Sequence, residues 1–280
     1  MQKQVLAIHD LSCVGRCSLT VALPVLSACG IHTSALPTAL LSTHTGEFTG
    51  YTCLDLTQEM AGIAAHLATL PLRFDGVYSG FLGSFEQIEI VGQVIRRYQH
   101  EGGLTLVDPV MADHGRLYAT YTREMAEGMG ELCRLADVIV PNLTEAAILL
   151  GEAYQPQPSE REMRRMLESL AAKYGCGQVI VTGVHQGNEL GAAGFCASDG
   201  TFSFAGCDVL PQVFYGTGDV FASALMGAML CGKSTGEATR IAVEFTHEAM
   251  LHTVENGLPL RYGVAFEQAI PRLVQAVLTK

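Results

Sequence analysis

Residues 214–223 read FYGTGDVFAS. A loop-like PQVFY leads into two glycines that flank a threonine, an acid follows, and then a run of small and apolar residues begins. At a helix N-terminus the first backbone N–H groups lack intrahelical acceptors, and the helix dipole favours negative charge. Gly216 and Gly218 let a ligand approach the backbone without meeting a Cβ. The segment therefore suits an anion site. Asp219 stands at its mouth, either as a catalytic base or as an ordinary first-turn acid that stabilises the helix by a few tenths of a kcal/mol to about 1 kcal/mol.

A second stretch, residues 137–146, reads DVIVPNLTEA. A strand ends at Pro141, Asn142 follows, and Glu145 opens a helix. Asn142 and Glu145 have capping-box spacing. Oxygen donors beside a phosphate site could equally order Mg²⁺ and its waters. Asp108, at the end of LTLVDP, is a third donor of that kind.

These residues need a scaffold that gathers them. Apolar runs at 4–10, 31–37, 75–80, 104–109, 137–142 and 178–184 lack clean alternation, the mark of strands covered on both faces. Helical periodicity separates them. The clearest case is 159–175, where Ser159 and Glu162 form a capping box and Gly175 supplies the stop. Weaker helices fit 17–29, 57–69, 84–100, 122–134, 219–231, 235–254 and 264–278. The expected fold is α/β, a three-layer α/β/α sandwich with a mainly parallel sheet, built as a single domain over 1–280. Runs near 190–196 and 201–205 follow each other directly, as in an antiparallel edge hairpin. Ligands of such folds collect beyond the carboxyl ends of the strands, where Asp10, Asp108, Asn142 and Thr182 all fall.

Apolar residues make up 49% of the chain and charged residues 16%, with a formal net charge of −11. This is a globular composition without the basic face expected of a nucleic-acid binder. No apolar stretch approaches the ~18 residues of a membrane span, and the first residues read as a buried strand, so the expected location is the cytoplasm. The nine cysteines are scattered, with no second close pair to complete a zinc site beside Cys13 and Cys17.

Residues 227–234, GAMLCGKS, match the phosphate-loop pattern letter for letter. The context rejects it. Phe221, Ala224, Leu225, Ala228 and Met229 share a helix face, Gly232 suits a C-cap, and Ser234 with Glu237 caps the next helix. N–H groups already bonded inside a helix cannot cradle a phosphate.

GTGD at 216–219, PNLTE at 141–145, DPVM at 108–111, SGFLGS at 79–84 and STHTG at 42–46 occur together. With them the chain resembles the pyridoxal kinases of the ribokinase superfamily over nearly its whole length. The resemblance implies a ribokinase-like fold and transfer of the ATP γ-phosphate to the 5′-hydroxyl of pyridoxal, pyridoxine or pyridoxamine. It implies Asp219 as the base and the N–H groups of Gly216, Thr217 and Gly218 as the anion hole. Asp108 and Glu145 would support Mg²⁺ and the phosphates. Val140, Asn142 and Thr182 would line the nucleotide side. Asp10, Thr45, Gly46 and Phe81 would face the vitamin ring, and the polar loop 112–121 would act as a lid against water. It further implies a homodimer and raises the question of an assisting monovalent cation such as K⁺.

The family usually has a serine where Asp10 stands and often a larger polar residue where Gly46 stands. A carboxylate accepts hydrogen bonds, so Asp10 favours a protonated pyridinium or an exocyclic amine. His44 reads as a hydrogen-bonded structural residue, and Ser12 as either a remote cap or a substrate contact. The rival enzyme is a hydroxymethylpyrimidine (phosphate) kinase, which usually has a cysteine at the position of Asp219. A carrier of B6 vitamers is the alternative outside catalysis.

Overall fold

A computed structural model describes residues 2–118 and 121–279. In chain order the elements are β1 (Gln4–Ser12), α1 (Leu19–Ala28), β2 (His32–Leu41), β3 (Cys53–Asp55), α2 (Thr57–Leu67), β4 (Gly76–Ser79), α3 (Phe85–Tyr98) and β5 (Leu104–Val107). Then come β6 (Ala112–Asp113), β7 (Arg116–Leu117), α4 (Arg123–Cys133), β8 (Val138–Ile139), α5 (Leu143–Leu150), α6 (Glu160–Tyr174) and β9 (Gln178–Gln186). β10 (Glu189–Cys196), β11 (Thr201–Asp208), α7 (Thr217–Leu230), α8 (Thr235–Glu255) and α9 (Phe266–Leu278) complete the chain.

Nine strands form one sheet in the order β11-β10-β9-β8-β5-β4-β1-β2-β3. The pairings from β9 through β2 are parallel. The 189–208 hairpin pairs antiparallel at one edge, as its sequence suggested. β3 is an addition: a three-residue strand with exposed side chains, antiparallel to β2 at the other edge. Its CLD run is too short to show a period.

One apolar core joins one face of the sheet to α2, α3, α4, α5 and α6, and a second joins the other face to α1, α7, α8 and α9. Val5, Leu6, Ala7 and Ile8 of β1 are fully buried, so successive side chains feed the two cores in turn. Among the described residues no helix is long and apolar enough to cross a membrane. All nine cysteines are free thiols.

The capping boxes at Ser159/Glu162 and Ser234/Glu237 are both formed. The phosphate-loop lookalike behaves as its context required. Gly227 and Ala228 lie within α7, Gly232 takes φ 87° just beyond its end, and the N–H of Lys233 bonds back to the Ala228 carbonyl. The Lys233 ammonium reaches the Thr279 carbonyl at 2.6 Å. Lys233→Ala is therefore expected to leave any nucleotide turnover intact and to loosen only the C-terminal end. An ADP-release assay with a thermal melt checks this.

Candidate active site

α7 begins where the 214–218 turn meets the segment before α1. Gly216 is its N-cap with φ 72°, and a Cβ there would overlap the Arg16 carbonyl oxygen. Glycine is required on both counts. Gly218 differs: a Cβ at that residue meets no protein atom within 4 Å. The space beside the Gly218 Cα is thus open, in the first turn of α7.

Asp219, in the first turn of α7, accepts a 2.8 Å hydrogen bond from the backbone N–H of Ser18. Burial pushes its carboxyl up to about 7, the Ser18 N–H works against the rise, and the charge of Asp10 adds to it. Asp10, near the end of β1, is 6% exposed. Its two oxygens accept from Ser18 Oγ at 2.6 Å and from Ser12 Oγ at 3.3 Å. Burial raises the Asp10 carboxyl, and the two hydroxyls oppose that. Ser12 is therefore a partner of Asp10 and caps no helix.

Asp108 follows β5 and is also buried. Its carboxyl lies well above the ordinary range because of burial and the nearby charges of Glu145 and Asp219. Glu145 completes the capping box of α5 with Asn142. Its oxygens accept from the N–H groups of Asn142 at 2.8 Å, Met111 at 3.0 Å and Ala112 at 3.4 Å. Burial still pushes it up to about 8. The Asn142 side-chain amide donates to the Ala112 carbonyl at 2.8 Å, and Thr144 Oγ1 accepts from the Gly115 N–H at 2.9 Å.

The N-terminus of α5 is thus the base of the 112–117 segment, which forms the small β6–β7 hairpin rather than an irregular loop. Ala119 and Thr120 of the lid reading lie outside the described residues. Tyr118, just past the hairpin, feels the charges of Glu145, Asp113, Asp108 and Asp219, which together with burial raise its phenol.

The remaining predicted residues fall around this cluster in different ways. Thr182 bridges Asn142 at the carboxyl end of the sheet. Val140 is a core residue, 3% exposed, on the α7–α8 side. Phe81 packs against Tyr121, ring centroids 6.0 Å apart. Thr45 is exposed in the 42–52 loop. Gly46 has a partner that explains its lack of a side chain: a Cβ would lie 2.7 Å from Cδ1 of Tyr215. The Tyr215 ring fills the space a larger residue at 46 would take. His44 spends both ring nitrogens, Nδ1 accepting from the Gly46 N–H and Nε2 facing the Arg261 carbonyl. Both ring nitrogens are thus hydrogen-bonded, as a structural histidine's would be.

The donor set fits a cation held mainly by phosphates and water. Asp108 is a carboxylate crowded by like charges, which a divalent ion would relieve. Glu145 is already committed to three backbone N–H groups. Among the described residues no three His, Cys, Asp or Glu side chains converge as a ready-made cage.

Residues 21–261 match the phosphomethylpyrimidine kinase family. The chain belongs to that family. A Bacteroides thetaiotaomicron protein provisionally assigned as a phosphomethylpyrimidine kinase, crystallised with pyridoxal, superposes with a TM-score of 0.92 at 36% identity, covering 98% of this chain and 96% of its own. Pyridoxal kinase from Lactobacillus plantarum superposes at 0.91 with 31% identity, covering 98% of each chain. The pyridoxine/pyridoxal/pyridoxamine kinase of Bordetella avium is 29% identical over 276 residues, 89% of this chain and 85% of its own. The sandwich is the ribokinase-like fold.

Sequence reasoning missed Ser18, Tyr118 and Tyr215 in this phosphomethylpyrimidine kinase relative. Ser18 looks like an ordinary helix cap, and Tyr118 like a surface residue of a polar loop. Tyr215 adjoins GTGD and was within reach, but its partner Gly46 is remote in the chain. The two loop glycines separate fold from ligand space. Gly216→Ala is expected to lower the melting temperature sharply, whereas Gly218→Ala should leave it unchanged or slightly raised, by calorimetry.

Proposed function

We propose that this protein transfers the γ-phosphate of ATP to the 5′-hydroxyl of a vitamin B6 vitamer, with Asp219 as the general base. The observation that carries the reading is the pairing at the start of α7. A carboxylate with a pKa near 7 sits one residue from an open glycine backbone at a helix N-terminus. A base is most effective with a pKa near the working pH. The relatives support the substrate class, since one was crystallised with pyridoxal and others are B6 kinases.

In this reading the substrate hydroxyl donates its proton to Asp219 as it attacks. The N–H groups of Gly216, Thr217 and Gly218 take up the charge of the transferring phosphoryl group. Asp10 faces the ring, and its carboxylate accepts from a protonated ring nitrogen or an amine. Thr45, Gly46 and Phe81 complete the ring side; Asn142, Thr182 and Val140 belong to the nucleotide side. Asp108 holds Mg²⁺, with Glu145 behind it as a positioning group. The ion would screen the phosphate charge. The hairpin at 112–117, anchored on α5, covers the phosphates. A single domain, a homodimer, a cytoplasmic location and assistance by K⁺ belong to the same reading.

The test is an ATP-to-ADP assay with Mg²⁺ on pyridoxal, pyridoxine, pyridoxamine and hydroxymethylpyrimidine. Turnover on a vitamer, lost by about a hundredfold to ten-thousandfold in Asp219→Ala, is expected, since general bases typically contribute about 10²–10⁴. Turnover on the pyrimidine alone would move the substrate to the one that names the family. Gly218→Ala should fold and lose kcat.

The pH dependence has a definite sign. Asp219 works as a carboxylate, so kcat/KM should fall as pH drops through about 7. Asp10 raises that value, so Asp10→Asn should move the acidic limb to lower pH while weakening vitamer binding.

Folding shows the opposite face. The folded-state pKa of about 7 exceeds the ordinary 3.8, so the folded protein keeps a proton that the unfolded chain has lost. Stability therefore declines as pH rises between those values. Asp219→Asn should melt a few degrees above wild type near pH 8, with the gap closing below pH 4, although it is inactive.

A further inference from the structure

Ser18 departs from its local rules in two ways. It is a buried non-glycine residue at φ 51°, ψ −128°, outside the ordinary regions for an L-residue. The other non-glycine residues with positive φ among those described, Glu47 and His114, are exposed in loops. It is also the N-cap of α1, yet its side chain makes no capping bond. A serine in that position ordinarily accepts from an N–H two or three residues on. Here the hydroxyl is turned away and donates to Asp10 Oδ1 at 2.6 Å. The N–H of the same residue, displaced by the unusual backbone, donates to Asp219 Oδ2 at 2.8 Å.

The surroundings enforce this conformation. The Arg16 N–H bonds the Tyr262 carbonyl at 2.9 Å. Gly216 and Gly263 pack against Arg16 with no room for a Cβ. Thr20 Oγ1 ties down the carbonyls of Gly15 and Cys17. Strain held by several contacts next to reactive groups points to function.

We propose that Ser18 is a positioning residue that joins ring recognition to the base, its hydroxyl orienting Asp10 and its backbone N–H orienting Asp219. The proposal rests on the kinase reading above. β1 delivers Asp10 and α7 delivers Asp219 from distant parts of the chain, and one residue sets both. The helix cap of α1 is given up for this. The two arms separate by chemistry: side-chain removal touches Asp10, whereas backbone displacement touches Asp219.

The experiment compares Ser18→Gly, Ser18→Val and Asp10→Asn by steady-state kinetics and thermal melts. Glycine accepts φ 51° and keeps the N–H but lacks the hydroxyl. Ser18→Gly should raise the vitamer KM about tenfold to a hundredfold, as for loss of a hydrogen bond to a charged group. Its kcat, the KM for ATP and the melting temperature should stay close to wild type. In Ser18→Gly/Asp10→Asn the KM should be no higher than in Asp10→Asn alone, because the hydroxyl acts through that carboxylate.

Ser18→Val forces a β-branched residue out of the positive-φ region, so kcat should fall at least about tenfold. An unchanged vitamer KM in Ser18→Gly, or additive KM effects in the double variant, would overturn the proposal. So would a parallel loss of kcat, both KM values and stability, which marks a merely structural residue. Full kcat in a folded Ser18→Val would overturn the base arm. If that variant does not fold, Ser18→Thr replaces it for the base arm, since its β-branched side chain meets the same backbone conflict while keeping the hydroxyl for Asp10, and full kcat there overturns that arm. Wild-type protein that turns over no vitamer would sink the kinase reading before any variant is compared, and with it this proposal. The two failures are thus distinguishable.

Discussion

The site depends on the contact between the 214–218 turn and the Arg16 carbonyl. Gly216 lies so close to that oxygen that no other residue fits. Because of this approach, the N-termini of α1 and α7 converge. Ser18 can then reach Asp219, and Asp219 can sit within range of the charge on Asp10. A wider gap would leave Asp219 as the first-turn acid that its sequence position permits. One close backbone contact brings the start of α7 against Ser18, which Asp10 also holds.

A constraint of charge follows. Asp10, Asp108, Glu145 and Asp219 gather at the carboxyl ends of the sheet in a chain of net charge −11. Burial raises all four, and like charge adds to it at Asp108, from Glu145 and Asp219, and at Asp219, from Asp10. The fold answers mainly with donors. Hydroxyls serve Asp10, one N–H serves Asp219, and three serve Glu145. Asp108 has burial and two acid neighbours, Glu145 and Asp219, to contend with. Behind this cluster, His9 is wholly buried edge-on to Tyr78, and burial holds it down to about 3, so it adds no compensating charge. Gly80 of SGFLGS leaves room for that ring.

Much of this was legible in the residues. Long apolar runs without alternation marked the parallel strands, and the capping pairs Ser159/Glu162 and Ser234/Glu237 marked helix starts, because both signals are local. The GAMLCGKS motif could be rejected for the same reason: whether an N–H is free depends on the residues beside it. What escaped was non-local or short. β3 and the two strands of the β6–β7 hairpin are two or three residues each, too few for a period to emerge. Tyr215 explains Gly46 only when two distant loops meet. Ser18 was hidden most fully, since a serine before a helix predicts a cap and nothing in its neighbourhood says that Asp10 will claim the hydroxyl.

Asn142 and Glu145 show why a structural and a functional reading need not compete. The capping box is real, and it uses one side-chain atom of each residue, Asn142 Oδ1 and Glu145 Oε2. The same side chains also reach across to residues 111 and 112. That stretch lies a few residues after Asp108 and opens the β6–β7 hairpin. A helix cap built into this turn fixes the hairpin's base and the backbone that carries Asp108. An alanine at 145 would therefore free the N–H groups of Met111 and Ala112 as well as that of Asn142, and the damage would pass to Asp108 without any direct contact to a ligand. The motif is read correctly as a cap; its consequence for chemistry lies in what else the cap holds.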